Sequence, residues 1–130
     1  MAVKKIMVVD DSATERHVLG ELLTKNGFQV VFVEDGETAV AKSKTELPDL
    51  ILMDVVMPGM NGFQATRAIT QDPATQHIPV FIVTTKGQET DKVWGARQGA
   101  KDYLVKPVDA ADLLAKVAAL PDKDNQPAKA

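Results

Sequence analysis

A chain of 130 residues fits one domain and can bury a core without disulfides or a structural metal. Its 45% hydrophobic and 25% charged residues are ordinary for a globular protein, and a net charge of -3 gives no general attraction to nucleic acid or to an anionic membrane. The absence of cysteine excludes disulfides, thiolate catalysis and thiolate zinc sites, and His17 and His77 lie too far apart to have ligand spacing.

The N-terminal apolar run is too short for a signal peptide and is cut off by two aspartates. No segment approaches the length of a membrane span, so the expected location is the cytoplasm. Ile6 to Val9 reads as a first strand, followed by a helix from about Ala13 to Asn26 with Val18, Leu19, Leu22 and Leu23 as its apolar stripe. Asn26-Gly27 stops it. Val30 to Val33 is a second strand, and Glu37 to Thr45 a short helix ended before Pro48. Leu50 to Met53 is apolar on both faces, as a central parallel strand should be.

Met57 to Gly62 is rich in turn formers, and a helix over about Phe63 to Gln71 ends before Asp72-Pro73. Pro79 to Val83 is a fourth strand and Glu89 to Gln98 a fourth helix, for which Val93, Ala96 and Ala100 are the candidates to face inward. Tyr103 to Val105 is a fifth strand, and Asp109 caps a last helix that buries Leu113, Leu114 and Val117. One domain over 1–120 is expected, with 121–130 a disordered tail because its apolar content is low.

Five strands alternating with five helices imply a doubly wound α/β fold, a parallel sheet with helices on both faces and right-handed crossovers. The expected strand order is 2-1-3-4-5, the flavodoxin-like arrangement. In such a sheet Asp10-Asp11, Asp54, Thr84 and Lys106 all emerge at the carboxyl edge, where open α/β sheets bind ligands. Alone, each has an ordinary explanation: a capping aspartate, a β-forming threonine, a surface lysine. Asp54 is the exception, because a carboxylate ending a central strand is costly without a partner. Asp11 and Asp54 at adjacent strand ends repel each other, and Mg2+ relieves that conflict while leaving coordination positions for phosphate oxygens. Lys106, extended before Pro107, can return its ammonium over the strand ends. Together they describe a magnesium-dependent site that accepts a phosphoryl group.

Four segments carry a family likeness: VVDDS at 8–12, LILMDVVMPGMNG at 50–62, IVTT at 82–85 and DYLVKP at 102–107. The chain resembles the response-regulator receiver domains over nearly its whole length. The resemblance implies that Asp54 is the phosphoacceptor, that Asp11, Asp54 and the backbone carbonyl of Val56 hold Mg2+, and that Asp10 acts mainly through water. It further implies that Lys106 pairs with the phosphoryl group or Asp54, and that Thr84 and Tyr103 form a switch acting on the surface of helix 4, strand 5 and helix 5. Within the family, GFQATR at 62–67 and the stretch 84–107 look most like the PilH-type regulators of type IV pilus twitching motility. The partners implied are a chemotaxis-type sensor histidine kinase and an effector in the motility machinery, with neither DNA nor membrane, and a monomeric state.

Thr85 stands where many members of the family have alanine, which narrows access to the phosphate. Val56 and Lys86 supply neither carboxylate nor amide to orient water, so slow, unassisted loss of phosphate is expected from a protein that catalyses only its own phosphorylation and dephosphorylation. Trp94 has polar helical neighbours in Thr90, Asp91, Arg97 and Gln98, and is either packed sideways against Tyr103 or helix 3, or a partly exposed anchor on the switch face. Three other classes compare poorly. A haloacid-dehalogenase phosphatase needs a second aspartate where Val56 stands, a flavodoxin needs a phosphate-cradling loop where Asp10-Asp11 stands, and a DNA-binding regulator needs a helix-turn-helix. A phosphate sink without its own effector is the alternative within signalling.

Overall fold

The computed structural model describes residues 3–85 and 89–120, with only the backbone of 89–92. Lys86 and the expected tail over 121–130 lie outside the described residues. Five strands, β1 (Lys5–Val9), β2 (Gln29–Val33), β3 (Leu50–Asp54), β4 (Val80–Thr84) and β5 (Asp102–Val105), alternate with five helices, α1 (Ala13–Lys25), α2 (Gly36–Glu46), α3 (Gly62–Gln71), α4 (Glu89–Arg97) and α5 (Ala110–Ala118). The sheet has the order β2-β1-β3-β4-β5, and every neighbouring pair is parallel. Both the class and the strand order expected from the sequence are therefore found. None of the helices among the described residues is long and apolar enough to cross a membrane.

Alternation along the strands makes two cores. Met7, Val9, Ile51, Met53, Val80 and Ile82 face the side covered by Ala39 of α2 and Ala65 and Ile69 of α3. Ile6, Val8, Leu50, Leu52, Phe81, Val83 and Leu104 face Leu19 and Leu23 of α1 and Leu113 and Val117 of α5. Because β3 and β4 contribute to both layers, all their residues are buried, which explains their unbroken apolar runs.

Side-chain caps begin four of the helices and so fix where the chain turns at the strand ends. Ser12, Asp35, Asn61 and Asp109 each accept from a backbone N–H of the first turn. At α3 the cap is reciprocal, since Gln64 also accepts from the Asn61 N–H.

Two expected helix faces hold only in part: Leu19, Leu22, Leu23 and Ala100 pack in or against the cores, and the other expected members do not. In α1, Val18 is 53% exposed, and the buried face is Leu19, Gly20 and Leu23. In α4, Val93 and Ala96 are exposed, and of the side chains described, 93–97, Gly95 holds the buried position. The cause in α4 is close approach: a Cβ on Gly95 would lie 3.2 Å from Ile82 Cγ1, so the helix backbone rests almost directly on β4.

The tightest approach joins α3 to the end of β3. A Cβ on Gly62 would lie 2.0 Å from the Asp54 carbonyl oxygen and 2.9 Å from Val55 Cα, while the Gly62 N–H donates to the Val55 carbonyl at 2.9 Å. These neighbours are backbone and cannot swing aside. Gly62→Ala is therefore expected to destabilise the fold by at least about 2 kcal/mol. Gly20→Ala should cost less, because the atoms it would meet belong to the half-exposed ring of Phe32. Urea unfolding of the two variants checks the ranking.

Candidate functional site

The strand register sets the site. Val9 lies opposite Met53, which brings Asp10 level with Asp54, and Thr84 lies opposite Val105, which puts Lys106 one step beyond it. The Lys106 N–H donates to the Thr84 carbonyl at 2.8 Å, so the ladder continues as the chain leaves the sheet through a cis Lys106-Pro107 bond. Five of the expected site residues thus converge on one edge.

At its centre the Lys106 ammonium donates to Asp10 Oδ2 at 2.6 Å and to Asp54 Oδ1 at 3.2 Å. The three side chains are only 9%, 3% and 10% exposed, respectively. The other oxygen of Asp10 accepts from the Ser12 N–H at 2.9 Å. Asp11 is exposed, yet one oxygen from each of Asp10, Asp11 and Asp54 can be chosen so that all lie within 4.8 Å of one another.

Burial pushes the Asp54 carboxyl up to about 6, and the charge of Asp10 adds to the rise, while Lys106 pulls it partly back. For Lys106, burial opposes the charge, but the hydrogen bond to Asp10 and the charges of Asp54 and Asp10 outweigh it and hold the ammonium above the ordinary lysine value. The three carboxylates suit a hard, oxygen-preferring divalent cation such as Mg2+, which would offset the repulsion that raises Asp54.

Thr84 is buried at the same edge, and Tyr103 is half-buried, bordering a cavity of about 90 Å³ that Ile82 and Gly95 also line. Val56 is 63% exposed on the loop after β3. Trp94 is 52% exposed and borders a groove between α3 and α4, away from the carboxylates.

Three features beside the carboxylates escaped the sequence. Arg16 donates from Nη1 to the Asp10 carbonyl at 2.7 Å and from Nη2 to Glu34 at 3.3 Å, so it braces the loop that carries the acidic pair. A cation this near a helix N-terminus works against the helix dipole, which was the available signal. Gly62 is the second. The third is a groove of about 380 Å³ beside Lys106, lined by Val18, Leu22, Thr85, Pro107 and Val108 among others.

A doubly wound sheet with an acidic cluster and a lysine at its carboxyl edge, where open α/β sheets place their ligand sites, matches a signalling receiver domain. The chain belongs to the response regulator receiver domain family, whose model matches residues 6–118. It is 58% identical over 116 residues to the protein PilH of Pseudomonas aeruginosa, covering 89% of this chain and 96% of that protein. The chemotaxis protein CheY4 of Vibrio cholerae superposes with a TM-score of 0.85 at 32% identity, over 92% of this chain and all of that one. The receiver domain of the sensor histidine kinase PA1611 of Pseudomonas aeruginosa, which has magnesium coordinated in its active-site cleft, gives a TM-score of 0.81 at 30% identity over 89% of this chain and 95% of that one.

The raised Asp54 carboxyl has a consequence for stability. A carboxyl whose folded value lies above its unfolded one contributes stability at low pH that is lost as pH rises through the folded value, here between about 4 and 6. Above that window the ionised group is a cost, on the order of 1–3 kcal/mol. Asp54→Asn is expected to melt several degrees above wild type at pH 7.5 in EDTA, with the gap closing towards pH 4 and narrowing when Mg2+ is added. Lys106→Met should do the opposite, losing about 3 kcal/mol in EDTA because Asp10 and Asp54 are left facing each other. Thermal melts over pH, with and without Mg2+, check both.

Proposed function

We propose that this chain is a response regulator of a two-component phosphorelay that accepts a phosphoryl group on Asp54, in twitching-motility or chemotaxis-type signalling. The observation that carries this is the Lys106 ammonium held between the buried carboxylates of Asp10 and Asp54, with Asp11 close by at the same edge. The likeness to PilH supports the motility setting.

In this reading Asp11, Asp54 and the Val56 carbonyl hold Mg2+ directly. Asp10 acts through water, since both its oxygens already accept hydrogen bonds from Ser12 and Lys106. Bound there, Mg2+ neutralises and orients phosphoryl oxygens. Asp54 is the nucleophile: a carboxylate oxygen bonds to phosphorus, the donor's bond to phosphorus breaks, and an aspartyl phosphate results. Lys106 supplies a fixed positive charge to the transferred group, so the site contributes positioning and electrostatics rather than proton transfer. A donor histidine of a chemotaxis-type sensor kinase approaches by the apolar groove beside Lys106, whose wall includes Val18 and Pro107.

Once phosphorylated, Asp54 draws in the Thr84 hydroxyl, and Tyr103 turns towards the small cavity it already borders beneath α4. The surface of α4, β5 and α5 responds, and Val93 and Val105, 48% and 41% exposed, give it apolar contact for an effector.

Intact mass after incubation with Mg2+ and acetyl phosphate tests the acceptor. Wild type should gain a single phosphoryl group, while Asp54→Asn, or wild type in EDTA, gains none. Modification of Asp54→Asn to the same extent would sink the assignment. Val56 offers only an alkyl side chain beside Asp54, so Val56→Asn should change the rate of phosphate loss severalfold by giving water a hydrogen-bonding partner. An unchanged decay would show that position 56 plays no part in hydrolysis.

A further inference from the structure

Of the two stretches that look like PilH, 62–67 and 84–107, residues Phe63, Gln64 and Arg67 of the first meet Trp94 and Gln98 of the second across a groove. Phe63, Gln64 and Arg67 of α3, with Asn61 at its cap, form one wall of this groove of about 320 Å³, and Trp94 and Gln98 of α4 form the other. This groove is separate from the acceptor site and from the face that presents Val93 and Val105.

The chemistry of its lining is one-sided. Trp94, half exposed, is a large flat apolar surface with the Arg97 guanidinium stacked 5.7 Å from its ring centroid. Arg67 stands exposed on the facing helix. Asn61 Oδ1 and Gln64 Oε1 each accept a backbone N–H in the α3 capping box, which fixes both amides and leaves their NH2 groups as donors for a partner. Among the described residues no carboxylate lines the groove, in a chain whose net charge is negative. An aromatic anchor with Arg97 stacked on it, Arg67 across the groove and the amides of Asn61, Gln64 and Gln98 in the lining matches a ligand rich in acceptors.

We propose that the α3–α4 groove is a docking site for an acidic peptide segment of a partner protein, with an apolar side chain seated on Trp94 and carboxylates facing Arg67 and Arg97. The two arginines add rim charge that governs on-rate and salt dependence, and Trp94 supplies the buried anchor.

Trp94 is the sole tryptophan of the chain, so its fluorescence reports occupancy without a label. A random peptide-display library is selected on wild-type protein, with counter-selection on Trp94→Ala, after both are shown to melt cooperatively and to take up phosphate equally. The expected winners carry Asp or Glu around an aromatic or aliphatic residue. They shift Trp94 fluorescence saturably, weaken steeply with salt, and bind about tenfold or more less tightly to the Arg67→Glu/Arg97→Glu double variant. Basic or uncharged winners, or no Trp94-dependent winners at all, would overturn the proposal. Self-association by sedimentation that Trp94→Ala abolishes would also overturn it, by showing that the groove is filled by a second copy of the chain.

Discussion

Lys106 carries its charge into a pocket where Asp10 and Asp54 are both nearly shielded from water, and the surrounding structure is arranged so that none of the three can leave. Removing Lys106 leaves two buried carboxylates facing each other, a cost that is large against the stability of a small domain, whereas neutralising Asp54 relieves the repulsion that raises it. The cluster is also unbalanced. Three carboxylates against one ammonium leave two negative charges uncompensated, the charge of a divalent cation. The repulsion that raises Asp54 is the same one that would draw a divalent cation to this edge.

Parallel pairing is what makes such a cluster possible. Only when all strands run the same way do residues far apart in sequence, such as Asp10 and Lys106, leave the sheet at the same edge. Helices that pack on both faces then return the chain to the opposite edge and keep this one open. The loops there are held by specific backbone anchors rather than by bulk: Arg16 on the Asp10 carbonyl, Ser12 on its carboxylate, and Gly62 against the carbonyl of Asp54.

Sequence made the edge legible because each of its residues ends an apolar run, and a polar residue in that place needs a reason. Asp54 after Leu50–Met53 and Lys106 after Tyr103–Val105 could be found in this way. Helix faces were less legible where the inward position is glycine. Periodicity registers side chains, and Gly95 has none, so Val93 and Ala96 looked like the inner face of α4 when the backbone itself is what touches Ile82. Val18 turns out towards the groove beside Lys106 for a related reason: the buried face of α1 runs through Gly20, against which the Phe32 ring lies. The α3–α4 groove was not legible at all, since nothing local says that Phe63 and Trp94 are neighbours. Only the strand order places α3 beside α4.

That groove is also mechanically close to the acceptor. Gly62 presses on the carbonyl of Asp54, and the flanking residues Asn61 and Phe63 line the groove wall, so one turn of chain links the two. Close-packed backbone does not compress. The proposed phosphorylation would place new bulk and charge on Asp54, and any displacement of its peptide unit would have to be taken up by the first turn of α3, because a Cβ on Gly62 would already overlap the Asp54 carbonyl. Phe63 carries the same displacement to α4, since its ring lies 3.8 Å from where a Gly95 Cβ would stand. Occupancy of the proposed groove site and of the acidic edge would therefore act on one short segment. Linkage makes any such coupling reciprocal: a ligand in the groove would change binding at the acidic edge by the same factor that a ligand at the edge changes binding in the groove.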